Sequence, residues 1–282
     1  TYPAIAMPWG MNFWTPRTNK IGDGWQYTYT ANKIYGFEQT HQPSPWINDY
    51  GQFSLMPVTG EVEMDEKKRA SWFSHKGEVA LPHYYKVYLA EYDVVTEMAP
   101  TERASMFRFT FPDADSYVVV DAYDRGSSIK VIPEENKIIG YTTRNSGGVP
   151  ENFKNYFVVV FDKPFTYKAT FSNDVKPAKP DATVPVTLKE GQLEQTNFHT
   201  GAVIGFKTQK GEKVHARVAS SFISPEQAEL NLKELGNDNF DTIVEKGKNR
   251  WNEVLGKADV QGGNLDQYRM FYSCLYRSLL FP

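Results

Sequence analysis

A single cysteine, Cys274, stands in the 282 residues, which excludes an internal disulfide and a thiolate metal cluster. Its neighbours Phe271, Tyr272 and Leu275 place it with the core. Long apolar runs are lacking too. Tyr117-Val118-Val119-Val120 and Tyr156 to Phe161 fall far short of the roughly 20 residues that a membrane-spanning helix needs. Nor does one sign of charge prevail, because 31 basic and 34 acidic residues give a formal net charge of -3. The two signs are mixed along the chain, so no basic stripe tracks phosphates and nucleic acid is excluded as a partner. His41, His75, His83, His199 and His215 are scattered without an HExxH pair, which leaves a zinc site unsupported. There is no G-x-S-x-G elbow, no Walker loop and no G-x-G-x-x-G opening a helix. A basic leader with an apolar stretch is also absent before Thr1, so the start reads as processed or trimmed.

What is present is aromatic surface: 15% Phe, Trp and Tyr, including 6 Trp and 17 Tyr. From Trp25 to about Phe222 the apolar residues alternate in short runs, as in 25–29, 106–111, 128–132 and 213–218, the period of strands with one buried face. Asp124-Arg125-Gly126, Asn145-Ser146-Gly147-Gly148 and Lys210-Gly211-Glu212 separate them as turns. No long helical pattern interrupts the series. This predicts a mainly β fold, an antiparallel β-sandwich, over residues 1–223.

The character changes at Ser224-Pro225-Glu226-Gln227, where an N-cap, a proline at the first helical position and a Gln three residues after the cap predict a helix start. Ala228, Leu232 and Leu235 share one face. Gly236-Asn237-Asp238-Asn239 then breaks the helix, and Phe240, Ile243, Val244, Trp251, Val254 and Leu255 form a second apolar stripe. Residues 224–257 read as linker helices. The last segment, 258–282, places Tyr268, Phe271, Tyr272, Cys274, Leu275, Leu279 and Leu280 in a helix apolar over most of its circumference. Such a helix is normally buried in a larger assembly, so the chain reads as the N-terminal portion of a longer protein.

Met7 to Pro57 is the stretch richest in unusual residues, with four of the 6 Trp besides Arg17, Asn19, Asp23, His41, Gln42, Asn48 and Asp49. Sugar recognition uses this mixture: an aromatic face covers the C–H side of a pyranose, while amides, carboxylates and Arg forks bind hydroxyls at the rim. The prolines of Gln42-Pro43-Ser44-Pro45-Trp46 would stiffen that loop. Tyr27, Tyr29 and Phe37 read first as sandwich core, and His41 reads equally as ligand or as structural histidine. Asp113-Ala114-Asp115 reads as a turn or strand start, and Glu61 to Arg69 as a solvated loop.

The runs Ala6-Met7-Pro8-Trp9-Gly10-Met11-Asn12, Trp14-Thr15-Pro16-Arg17-Thr18, Gly24-Trp25-Gln26-Tyr27 and Ile34-Tyr35-Gly36-Phe37-Glu38-Gln39-Thr40-His41-Gln42-Pro43-Ser44-Pro45-Trp46 resemble the N-terminal domain of glycoside hydrolase family 92. Ala216 to Ser224 and Phe271 to Tyr276 resemble that family's last strand, linker and first catalytic-domain helix. The resemblance implies a calcium-dependent, exo-acting, inverting α-mannosidase acting on α-mannoside glycans such as N-glycans, exported from the cell. It implies a sandwich followed by an (α/α)6 barrel, of which this chain holds the sandwich, the linker and the first helix. Its partner would be the missing C-terminal catalytic domain. The general acid, the general base and the calcium ligands would lie beyond Pro282, leaving no catalytic or metal-binding residue in this chain and the chain alone inactive. Binding residues would lie in the first-strand loops, with Trp25, His41 and Trp46 as leading sugar contacts and Arg17, Asn48 and Asp49 at the rim. A non-catalytic carbohydrate-binding module, or the sandwich of a helical-barrel enzyme acting on α-glucosides, are the other expectations.

Overall fold

The computed structural model describes residues 2–11, 13–19, 26–41, 49–176 and 184–280. Among these, two large antiparallel sheets face each other. One has seven strands in the order Phe13–Arg17, Gly36–Thr40, Phe53–Thr59, Ala114–Asp121, His199–Thr208, Tyr167–Asn173 and Thr187–Glu190. The other has nine: Glu194–Asn197, Ser127–Ile132, Lys137–Thr142, Asn155–Phe161, Glu212–Ser221, Ala104–Phe111, Val94–Pro100, Tyr84–Leu89 and Val79–Leu81. A two-stranded ribbon pairs Lys33–Ile34 with Ser71–Trp72.

Alternation decides which side chains meet. Along Ala104–Phe111, the rings of Phe107, Phe109 and Phe111 enter the core between the sheets, whereas Ala104 and Met106 point to the other face. Across the layers, Trp14 meets Phe107 edge-on at 4.8 Å, and Phe53 stacks on Phe157 at 4.4 Å. The run Tyr156 to Phe161 does not alternate because helices cover its second face. Phe157, Val159 and Phe161 belong to the inner core, and Val158 packs outward with Ala228 and Ile243.

Those covering helices are α1, Pro225–Leu232, and α2, Phe240–Leu255. Ser224 caps α1 by accepting from Gln227 N, with Pro225 in the first turn, and Asn239 caps α2 by accepting from Thr242 N. A third helix, α3, Leu265–Ser278, opens with a capping box at Asn264 and Gln267. A separate apolar cluster of Ala4, Ala6, Phe13, Trp251 and Leu280 joins the first residues to α2 and to the end of α3.

Three expectations are corrected. Over its described part, 26–29, the predicted strand at 25–29 is loop and turn. The Thr28 amide donates to Thr18 Oγ1 at 2.8 Å and the Ala31 amide to Thr28 O at 3.0 Å, so this backbone joins no ladder. The 61–69 run is not simply solvated, since Arg69 is fully buried against Asp121 and Glu66 reaches Arg17. Cys274 is exposed rather than core. Only one side of α3 packs, through Tyr276, and Leu265, Met270 and Phe271 stand in solvent. Among the described residues no helix is long and apolar enough to cross a membrane.

Candidate functional site

Register places the candidate residues on the outer face of the seven-stranded sheet. Trp14 lies opposite Gln39, and Phe37 opposite Leu55, and their apolar side chains turn inward. Thr15 therefore lies opposite Glu38, and Arg17 follows on the same outward face. Arg17 Nε pairs with Glu38 Oε2 at 3.0 Å, Nη2 with Glu66 at 2.8 Å, and Nη1 donates to Asn19 O at 2.8 Å. Its guanidinium lies over the rings of Tyr123 and Tyr35, at 5.2 and 5.8 Å. Burial opposes the charge on Arg17, but Tyr123, Glu66 and Glu38 outweigh it and hold its pKa above the ordinary value. Glu38 also accepts from Gln52 Nε2 at 2.8 Å, and Gln52 Oε1 accepts from Arg144 Nε at 3.0 Å. Burial pushes the Glu38 carboxyl up, and Arg17 is the main counterweight.

Beside this relay lies a second cluster built around Asp49. Its Oδ1 accepts from the amides of His41 and Tyr50 at 2.9 and 2.8 Å, and its Oδ2 from Gln26 Nε2 at 2.5 Å. Burial, and after it the Glu38 charge, push the Asp49 carboxyl up to about 8. His41 Nδ1 is 2.8 Å from Tyr50 O, which assigns the proton to Nδ1, and burial lowers its pKa to about 4, so the imidazole is neutral at pH 7. The ring stacks on Tyr50 at 5.2 Å and meets Phe222 edge-on at 5.0 Å. Gly51 makes this packing possible. Its φ is 67°, and a β-carbon there would lie 2.9 Å from Asn155 Cβ and 3.1 Å from the Phe222 ring.

Of the six predicted binding residues, His41, Asp49 and Arg17 are described, and all three are buried. His41 and Asp49 are in direct contact; Arg17 belongs to the neighbouring relay, which reaches Asp49 through the field of Glu38. Trp25, Trp46 and Asn48 lie outside the described residues. Sequence reasoning missed Gln26, Gln52, Tyr50 and Phe222 as members of the site. A carboxylate inside a strand, Glu38 directly after the core ring of Phe37, was the one signal that a polar layer lay on that face.

Tyr27 and Tyr29, expected in the core, line a cleft of about 740 Å³ between the sandwich and α3, together with Tyr2, Glu78, Tyr272 and Tyr276. Tyr29 is 69% exposed and stacks on His75 at 4.1 Å, whereas Phe37 is core as expected. The residues present do not fit a resident metal: among the described residues, no group of three or more His, Cys, Asp or Glu side chains is placed to hold one.

Residues 1–221 match the glycosyl hydrolase family 92 N-terminal domain and residues 227–282 the glycosyl hydrolase family 92 catalytic domain, and the chain belongs to that family. It is 46% identical to the family GH92 inverting mannosidase BT2199 from Bacteroides thetaiotaomicron VPI-5482, with a TM-score of 0.92 over 100% of this chain and 37% of that one. The family GH92 α-mannosidase BT3965 from the same species is 30% identical, with a TM-score of 0.86 over 100% of this chain and 39% of that one. BT3965 has also been solved in complex with mannoimidazole. A bacterial glucoamylase complexed with acarbose shares the fold alone, at 8% identity and a TM-score of 0.53 over 91% of this chain and 37% of that one. No protein with a curated description matches. The chain thus spans 37% and 39% of the length of its two mannosidase relatives.

Proposed function

We propose that this chain is the sandwich side of an exo-acting, inverting α-mannosidase that removes terminal α-mannose from glycans such as N-glycans. The observation that carries it is the match to an inverting mannosidase at 46% identity along the whole of this chain. The match of residues 227–282 to the catalytic domain supports an enzyme over a stand-alone binding module. The division into sandwich 1–223, helical linker 224–257 and opening of the barrel 258–282 belongs to the same proposal, as do export from the cell and calcium dependence. This chain's described residues are assigned no part in holding calcium.

Inversion needs one carboxylic acid to protonate the leaving oxygen and one carboxylate to activate water across the sugar, about 6.5–9.5 Å apart. Glu38 and Asp49 fill neither role, because internal donors engage both. The sandwich instead supplies a rigid edge. Trp25 and Trp46 are the proposed sugar contacts and Asn48 a rim hydrogen-bonder, while the buried side chains of His41, Arg17 and Asp49 make their contacts within the protein.

The test is hydrolysis of α-linked mannobioses by the full-length protein, with the product anomer followed by NMR and a chelator added in a second arm. We expect β-mannose to appear first and release to stop with chelator. No release on any linkage, or α-mannose first, would overturn the assignment.

A further inference from the structure

Asp49 holds three separate places in the chain around the aromatic stretch. Its Oδ1 binds the amides of residues 41 and 50, the two positions between which Gln42 to Asn48 and Asp49 itself run, and its Oδ2 binds Gln26, the residue after Trp25. It is 7% exposed. A side chain so enclosed, with both oxygens occupied by protein donors, has little left to offer a sugar hydroxyl. We propose that Asp49 is a positioning residue whose carboxyl group clamps residues 26, 41 and 50 and so fixes the chain on either side of the proposed sugar-contacting aromatics. This deepens the mannosidase assignment and rests on it.

The donors that meet both oxygens favour a carboxylate, while burial and the Glu38 charge oppose it. Among the described residues, the charged and titratable groups around Asp49 include Tyr2 of the N-terminal segment, Glu38 of strand Gly36–Thr40, His41 and Tyr50 beside it, and Arg144 after strand Lys137–Thr142. Of these, His41 is neutral and Glu38 already has Arg17 as its direct ion partner. Arg144 contacts Gln52 and Asp124 rather than Asp49. Among the described residues no cation contacts Asp49, and burial pushes its pKa up to about 8. Gln26 can serve either form. In the orientation shown Nε2 donates and Oε1 is buried without a hydrogen bond. A half-turn of the amide would let its carbonyl accept the Oδ2 proton.

The experiment compares wild type, Asp49→Asn and Asp49→Ala in the full-length protein by two readouts. One is mannobiose kinetics from pH 5 to 9; the other is hydrogen exchange at the His41 and Tyr50 amides, which does not depend on activity. Asn keeps one acceptor for the two amides and one donor for Gln26, so it should restore both readouts relative to Ala. We expect Asp49→Ala to raise KM about tenfold or more, with kcat changing less, since loss of positioning well short of the reacting atoms has effects of this order. Wild-type values in Asp49→Ala, or an Asn variant as impaired as Ala, would overturn the clamp. If wild type releases no mannose, the mannosidase assignment fails while hydrogen exchange still decides on the clamp.

Discussion

Three buried groups of this sandwich are poised differently by what stands next to them. Asp121 has Arg69 at 2.6 Å and His199 at 2.7 Å, and both oppose the upward push of burial, so its carboxyl sits well below the usual carboxylate range. Asp49 has backbone and amide donors but no contacting cation, and is pushed the other way. His41 has aromatic rings and a carbonyl, and loses its proton. Removing one partner of a buried ion pair strands the other charge at a cost of about 3–5 kcal/mol. Asp121→Asn should therefore lower stability at pH 7 by about 3 kcal/mol in urea titrations. A depressed carboxylate contributes stability above its unfolded pKa of about 3.9, and loses it as pH falls through the folded value. The gap between wild type and the Asn variant should accordingly shrink from pH 7 to pH 3, and a constant gap would show that packing, not charge, holds this site. None of these poises was legible beforehand. Residue types at 17, 41 and 49 suggested recognition, but which oxygen meets which donor depends on strand register and on partners such as Asp49, 8 positions from His41, and Glu66, 49 positions from Arg17.

At the scale of elements the sequence was far more legible. Alternation located Ala104–Phe111, Ser127–Ile132 and Glu212–Ser221, because each has rings or branched side chains on the face that fills the core. The start of α1 was legible for a separate reason: a cap, a proline and a Gln at fixed offsets satisfy orphan amides locally. Ser224→Ala should cost about 1 kcal/mol, read as a lower urea midpoint at unchanged slope. Elements were misread where tertiary partners overrode pattern. Tyr27 and Tyr29 alternate like strand residues, yet Tyr27 OH reaches Glu78 at 3.2 Å and Tyr29 stacks on His75, and that side-chain network sets the backbone there. In 61–69, Arg69 looks like one charge among many until Asp121 is found beneath it. Cys274 looks apolar by its neighbours, but a helix has several faces and only one of them packs.

At the scale of the whole molecule, one inner core is flanked by a helix-covered layer and by a small seam of N-terminal residues against α2 and α3. Trp251 is the centre of that seam, 2% exposed, donating to Ala6 O at 2.8 Å and lying 5.0 Å from the ring of Tyr276. Trp251→Ala should lower stability by about 3–5 kcal/mol. Trp251→Phe, which keeps most of the packing and loses the hydrogen bond, should cost about 1–3 kcal/mol by leaving the Ala6 carbonyl unsatisfied. Equal losses in thermal unfolding would show the hydrogen bond to be the dominant contribution.

The same seam has a consequence in time. Ala6 waits for Trp251, 245 positions on, and Ala4 for Tyr276, 272 positions on. A short early segment therefore finds its partners more than 240 positions further along the chain, beyond the last strand of the sandwich. Closing so long a loop adds only modestly to the entropy, since that cost grows with the logarithm of length, but contacts of high sequence separation are the slow ones. The inner sandwich can be complete, down to its last strand at Glu212–Ser221, while Ala4 and Ala6 are still exposed. How the helices seat on the sandwich is thus settled after the sandwich itself, when one short stretch ahead of its first strand is captured by helices that follow its last.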